Sequence, residues 1–130
     1  MATPTLTAVS DRYARLPGST ALRGGRPSHG RAGHTVVALN GDLDFASAPA
    51  LREHLRGTLR HCGRLLTLDL GEVAFCDAAG LAVLIGTGRR AAGLGITLRL
   101  ANPRPQVAKL LRVTGLDRVL TVVPQVEPAA

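Results

Sequence analysis

Three carboxylates lie where they could act together. Asp42 and Asp44 follow directly after a predicted strand, and Asp77 follows a later one. Open α/β sheets place their sites at the carboxyl ends of their strands, and carboxylate oxygens are preferred ligands of Mg²⁺. A cation site is therefore one interpretation. The alternative, which we favour, is that Asp77 caps a helix and that Asp42 and Asp44 are turn residues.

The candidate nucleophiles lack the neighbouring residues that would activate them. Cys76 precedes a predicted helix, whose N-terminus can lower the pKa of a thiol, but a small apolar residue at the end of a strand is the simpler interpretation. His54 and His61 have no serine beside them in a nucleophile elbow. The chain also lacks glycine-rich phosphate-binding motifs and zinc-type Cys/His spacing. We therefore expect no enzyme activity, no cofactor and no metal.

The segment from Val73 to Leu81 is the most informative part of the sequence. It contains the run Asp77-Ala78-Ala79-Gly80, an acidic residue followed by three very small ones, at the start of a predicted helix. The first amides of a helix lack intrahelical partners, and small side chains let another protein approach the backbone closely. A protein-docking site is one interpretation, and an ordinary helix start is the other.

Strands and helices alternate along the chain. The predicted strands comprise residues 5–9, 35–40, 65–70, 96–100 and 119–122. Helices follow three of them, with predicted N-caps at Ser47, Asp77 and Asn102; Pro103 takes the first helical position after Asn102. Alternating elements predict an α/β fold: one mixed, mostly parallel sheet of about five strands with helices packed on it.

The chain of 130 residues predicts one domain. We expect a possible first edge strand within residues 1–10, a flexible basic loop rich in Gly, Pro and Arg at 11–34, the body of the domain at 35–123 and a frayed tail at 124–130. No apolar run predicts a membrane span or a secretory signal, and the two cysteines form no disulfide framework. These features predict a cytoplasmic protein.

The net charge of +7 raises the hypothesis of a nucleic-acid binder. Residues 1–34 hold five arginines against one acid, so the excess charge is concentrated there. Aromatic residues do not interleave with the basic ones, so platforms for stacking bases are missing. Nucleic acid is not the expected partner, although residues 12–31 keep that hypothesis open.

Three motifs together resemble the STAS domain of the anti-sigma factor antagonist family. Asn40–Asp44 is similar to the family's Gly-Glu-Leu-Asp turn. Leu68–Leu81 resembles its strand, turn and Asp-Ser-Ser-Gly-Leu block. Asn102-Pro103, followed by Leu111–Asp117, resembles its closing helix. The resemblance covers about two-thirds of the chain, and it implies a STAS fold.

What the resemblance implies is a switch by partner exchange. The antagonist binds an anti-sigma factor, a serine kinase with a histidine-kinase-like ATP-binding fold, and so frees a sigma factor. The kinase then phosphorylates the second serine of the block, which ends binding. The matching partner-binding residues are Asp42, Asp44, Asp77, Ala78, Ala79, Gly80 and Leu81.

This sequence departs from the family pattern at the phosphorylated position. The two serine positions hold Ala78 and Ala79, and neither side chain can accept a phosphoryl group. The nearest hydroxyl further along, Thr87, is a poor substitute two turns down the helix. The leading hypothesis is an antagonist without the usual switch. The alternative is a structural STAS subunit of a sensory complex or a lipid-transport ATPase.

Overall fold

The computed structural model describes residues 33–125. The elements are β1 (His34–Leu43), α1 (Ala48–His61), β2 (Leu65–Cys76), α2 (Ala78–Gly93), β3 (Thr97–Ala101), α3 (Pro105–Val113), α4 (Leu116–Val119) and β4 (Thr121–Val123). The predicted first strand, almost all of the 11–34 loop and the end of the tail lie outside the described residues.

One sheet organises the domain, with the strand order β1-β2-β3-β4. Every pairing among the described strands is parallel, as expected for strands that alternate with helices. The predicted α/β fold is confirmed, with four strands in residues 33–125 instead of about five. His34, placed in the loop by the sequence, begins β1 and is buried, with Nε2 3.2 Å from the Thr67 hydroxyl.

Leucine dominates the core between the sheet and the helices. With the exception of Val37, all of the largest fully buried side chains are leucines: Leu39, Leu43, Leu51, Leu55, Leu66, Leu68, Leu70, Leu84, Leu100 and Leu111. Leu51 and Leu55 belong to the four-residue stripe of α1, which continues to the buried Leu59. No phenylalanine takes part in this cluster.

The first two strands are longer than predicted. The sequence placed a break at Gly41 in β1 and another at Gly71 in β2, but both strands continue past these glycines. β2 carries one extra residue at each of two register shifts in this pairing, after Ala38 and after Gly41, as in β-bulges. Beyond Asp69, β2 pairs only with β1, so these two strands continue as a two-stranded ribbon past the carboxyl end of β3.

The loop after β3 is attached to this ribbon by hydrogen bonds. The prediction that Asn102 caps the following helix is wrong. Asn102 adopts a left-handed conformation, with φ 58°, and its side-chain amide donates to Asp69 Oδ1 at 3.3 Å. Arg104 Nε donates to the Gly71 carbonyl at 2.9 Å. The helix instead begins at Pro105. Asn102 therefore joins β3 to β2 and does not cap α3.

Candidate partner-binding surface

The ends of β1 and β2 lie side by side and place the two acidic motifs together. The Asp77 amide donates to the Leu43 carbonyl at 3.0 Å, directly where α2 begins. Asp42 is paired with Phe75 across the two strands. The turn after β1 and the start of α2 therefore form one surface, which we call the ribbon-tip surface: residues 42–46, 75 and 77–79.

Asp77 fixes the start of α2, as predicted. Its Oδ1 accepts hydrogen bonds from the amides of Ala79 at 2.8 Å and Gly80 at 3.1 Å. These are two of the helix amides that have no intrahelical partner. Its Oδ2 accepts from the amide of Phe45 at 3.2 Å. One carboxylate therefore satisfies the helix start and ties it to the turn after β1.

Asp44 and Ser47 lock that turn by bonding to each other. The Asp44 amide donates to Ser47 Oγ at 3.0 Å, and the Ser47 amide donates to Asp44 Oδ1 at 2.9 Å. The Ser47 hydroxyl donates back to the Asp42 carbonyl at 2.8 Å. Ser47 thus occupies the N-cap position of α1 but makes no side-chain cap bond, because its hydroxyl is used in the turn.

Gly80 is required by close packing. A Cβ at this position would overlap the backbone carbonyl of Leu43, so only glycine lets α2 approach the end of β1 this closely. Leu81 is also buried. Both were predicted to bind a partner, but in this conformation they lie beneath the surface. The remaining predicted residues are exposed or half-buried: Asp42, Asp44, Asp77, Ala78 and Ala79.

Ala79, which the sequence resemblance matches to the phosphorylated serine, has a half-buried methyl group. Ala78, beside it, is exposed. Thr87 is buried and its hydroxyl donates to the Val83 carbonyl at 2.8 Å, so it offers no accessible group. Among residues 33–125 the one serine, Ser47, is buried and bonded within the turn. The ribbon-tip surface therefore presents no serine hydroxyl.

Two aromatic side chains at this surface were not among the predicted site residues. Phe45 is 81% exposed and Phe75 is 51% exposed. They are the only phenylalanines of the chain, and each stands within two residues of a predicted site aspartate. Large apolar side chains held in water at one edge are typical of a binding surface. The sequence feature that could have identified them is their position within the two acidic motifs.

The thiol of Cys76 lies under this surface and is not activated. Burial, and to a smaller extent the charge of Asp77, raises the pKa of Cys76 to about 11. The thiolate, which is the reactive form, is therefore disfavoured despite the neighbouring helix start. Cys76 behaves as a small apolar residue at the end of β2, which was the simpler interpretation of the sequence.

Within the described part of the chain, no group of three His, Cys, Asp or Glu side chains is arranged to hold a metal ion. The carboxylates of Asp44 and Asp77 are instead bonded to backbone amides. The alternative of a magnesium site at these aspartates thus has no geometric support. None of the helices in residues 33–125 has the length and apolar character needed to cross a bilayer.

Comparison with known proteins agrees with this architecture. A family model described as "Mlab, STAS domain" matches residues 29–124. The anti-sigma-B factor antagonist of Bacillus subtilis (strain 168) is 34% identical over 86 residues, which is 66% of this chain and 78% of that protein.

Solved structures show the same fold. An anti-sigma factor antagonist from Mycobacterium paratuberculosis superposes with a TM-score of 0.67 at 27% identity, covering 75% of this chain and 82% of that one. The STAS domain of a SulP transporter from Vibrio cholerae has a TM-score of 0.59 at 24% identity, covering 72% of this chain and 74% of that one, and this likeness concerns the fold alone. The chain is thus a STAS domain protein of the anti-sigma factor antagonist family.

Proposed function

We propose that this protein binds an anti-sigma factor through the ribbon-tip surface and so releases a sigma factor. The proposed partner is a serine kinase with a histidine-kinase-like ATP-binding fold, and the proposed place of action is the cytoplasm. The observation that carries the proposal is one surface that combines exposed phenylalanines, small residues and an Asp77-capped helix start. Relatives named as antagonists of anti-sigma factors support it.

The composition of the ribbon-tip surface suits protein binding. Phe45 and Phe75 supply apolar area, and aromatic side chains are frequent at the centres of interfaces. Ala78 and Ala79 leave room for close approach to the backbone. Asp42 is exposed and gives the patch a charged margin that can select a basic partner. No step of this function requires catalysis by the chain itself.

Regulation is proposed to differ from the family pattern. A phosphoryl group adds a charge of about −1.5 to −2, which disrupts a close apolar contact. Ala79 has no oxygen to accept it, and Ser47 and Thr87 are buried and hydrogen-bonded. The complex should therefore persist in the presence of ATP, which makes the protein an antagonist that the kinase does not switch off at this block.

A structural STAS subunit is the second candidate function. The alanines at both serine positions favour it, since a scaffold has no use for a phosphorylation switch. The fold also occurs in a transporter STAS domain. The two functions differ in their partner: a structural subunit co-purifies with a sensory or transport complex and does not bind a purified anti-sigma factor.

Calorimetric titration against the purified ATP-binding anti-sigma factors of the same organism tests the proposal. Phe45→Ala should weaken binding at least about tenfold if this ring is an interface anchor. Val113→Ala is the matched control, because Val113 is exposed to a similar extent but lies on α3. Failure of the wild-type protein to bind any of these factors would contradict the proposal and favour the structural subunit.

A further inference from the structure

A cleft between α1 and α2 collects arginines from both helices. Arg52 and Arg56 line it from α1, and Arg90 lines it from α2. Ala82 and Gly86 form part of its α2 wall, and the cavity between them measures about 60 Å³. Volumes of this order hold one small group and leave no room for a folded chain segment.

The charge in this cleft is not compensated within the described residues. No carboxylate lines it, and within residues 33–125 the side chains of Arg52, Arg56 and Arg90 make no hydrogen bond or ion pair. Arg56 is half-buried, and its Nε is fully buried with no partner there, whereas Arg52 and Arg90 are exposed at the mouth of the cleft. A buried N–H donor without an acceptor costs free energy, so an acceptor beside Arg56 Nε would be stabilising.

Gly86 keeps the cleft open. A Cβ at this residue, in the middle of α2, would meet no atom within 4 Å beyond its chain neighbours and the backbone of its own helix. Glycine in a helix interior costs about 1 kcal/mol relative to alanine. Packing does not require it here, in contrast to Gly80. The absent side chain leaves space next to the guanidinium groups.

We propose that this cleft binds a phosphate monoester group, held by Arg52, Arg56 and Arg90. Guanidinium groups present planar pairs of N–H donors that match phosphate oxygens. The cavity fits the phosphate group alone, so the rest of the ligand would lie outside over Gly86. Ala79 lies seven residues before Gly86, about 10 Å along the helix axis, so this site is separate from the ribbon-tip surface.

NMR of the arginine Nε–Hε groups tests the proposal on the full chain. Titration with inorganic phosphate, against sodium chloride of equal ionic strength, should shift the Arg56 resonance saturably. Arg90→Gln, followed at the Arg56 resonance, and Arg56→Gln, followed at the Arg90 resonance, should each weaken binding about tenfold, as expected for loss of a charge-assisted hydrogen bond. Arg60→Gln, an equal charge change one turn further along α1, lies outside the cleft and should change affinity less than twofold.

A steric variant gives a second, independent measurement. Gly86→Met should fill the cleft and abolish the shift, whereas Gly57→Met on α1 should not, since Gly57 has open space around it and does not line the cleft.

Tighter binding of ribose 5-phosphate than of a phosphoserine peptide would identify a small metabolite as the source of the group; the reverse order would identify a phosphoprotein. An unmoved Arg56 resonance, or equal weakening by Arg60→Gln, would overturn the proposal.

Discussion

The backbone amide of Phe45 donates to Asp77 Oδ2 at 3.2 Å, across two segments that are 32 residues apart in sequence. The other oxygen of the same carboxylate caps α2 through the amides of Ala79 and Gly80. A single side chain therefore ties the backbone of Phe45 to the start of α2. This link holds two motifs that are distant in sequence together in one surface.

Removal of the Asp77 carboxylate should destabilise the protein and weaken its binding together. Asp77→Ala should cost about 1–2 kcal/mol of unfolding free energy, because the cap of α2 is lost. Asp77→Asn retains one side-chain oxygen and should lose less. Urea unfolding measures the loss of stability of both variants, and calorimetric titration against the anti-sigma factor measures their binding. Asp117→Ala, in the short helix α4, is the control; an equal loss there would contradict a specific role for Asp77.

Two glycines of α2 should respond to alanine in opposite directions. Gly80→Ala should destabilise by about 1–3 kcal/mol, since the new methyl overlaps the Leu43 carbonyl and forces the helix away from β1. Gly86→Ala meets open space and should stabilise by up to about 1 kcal/mol. Thermal or urea unfolding would show the contrast. Neutral behaviour of Gly80→Ala would mean that α2 can shift freely.

Alkylation should separate the two thiols. With a pKa of about 11, Cys76 holds roughly one thiolate per thousand molecules at pH 8, and its rate should rise about tenfold per pH unit up to that value. Cys62 is more exposed and should react first, although burial raises its pKa as well. Peptide mass spectrometry after iodoacetamide treatment resolves them. Faster labelling of Cys76 at pH 8 would reveal an activated thiol.

A hydroxyl restored at position 79 should restore the switch. Ala79→Ser places an acceptor at the start of α2, where the helix dipole tolerates the added phosphate charge in the free protein. The cognate kinase should then modify it and the complex should dissociate with ATP. Ala78→Ser is the matched control one residue earlier. A variant that binds well but is never phosphorylated would show that loss of the hydroxyl is not what removed the switch.

Sequence periodicity was sufficient for the elements that form the core. The leucine spacing of α1 and the short apolar runs of the strands place their side chains inside, because burial of these positions follows directly from helix and strand geometry. Asp77 was also predictable as a cap, since an acidic residue before a helix has one obvious set of amides to bind.

Tertiary contacts decided the elements that were predicted wrongly. Asn102 has the residue type of an N-cap, but its side chain bonds to Asp69 instead. Ser47 does occupy the N-cap position of α1, as predicted, but its hydroxyl bonds to the Asp42 carbonyl and not to a helix amide. Gly41 and Gly71 resemble strand ends, but pairing across the ribbon carries both strands past them. These outcomes depend on partners distant in sequence, which local patterns do not contain.

The make-up of the candidate ribbon-tip surface could be predicted only in part. Its aspartates and alanines follow from the motif, whereas the exposure of Phe45 and Phe75 does not, because a phenylalanine in a leucine-rich chain is expected in the core. The burial of Gly80 and Leu81 likewise depends on how closely α2 approaches β1. Which residues of a motif face a partner is set by packing.

The most direct measurement follows the complex with an ATP-binding anti-sigma factor after ATP is added. Intact-mass spectrometry of this chain would accompany a binding assay such as size-exclusion chromatography. We expect a complex that persists with ATP and a chain whose mass does not change, since neither Ala78 nor Ala79 carries a hydroxyl. Dissociation on addition of ATP, with the mass gain of one phosphate, would contradict it.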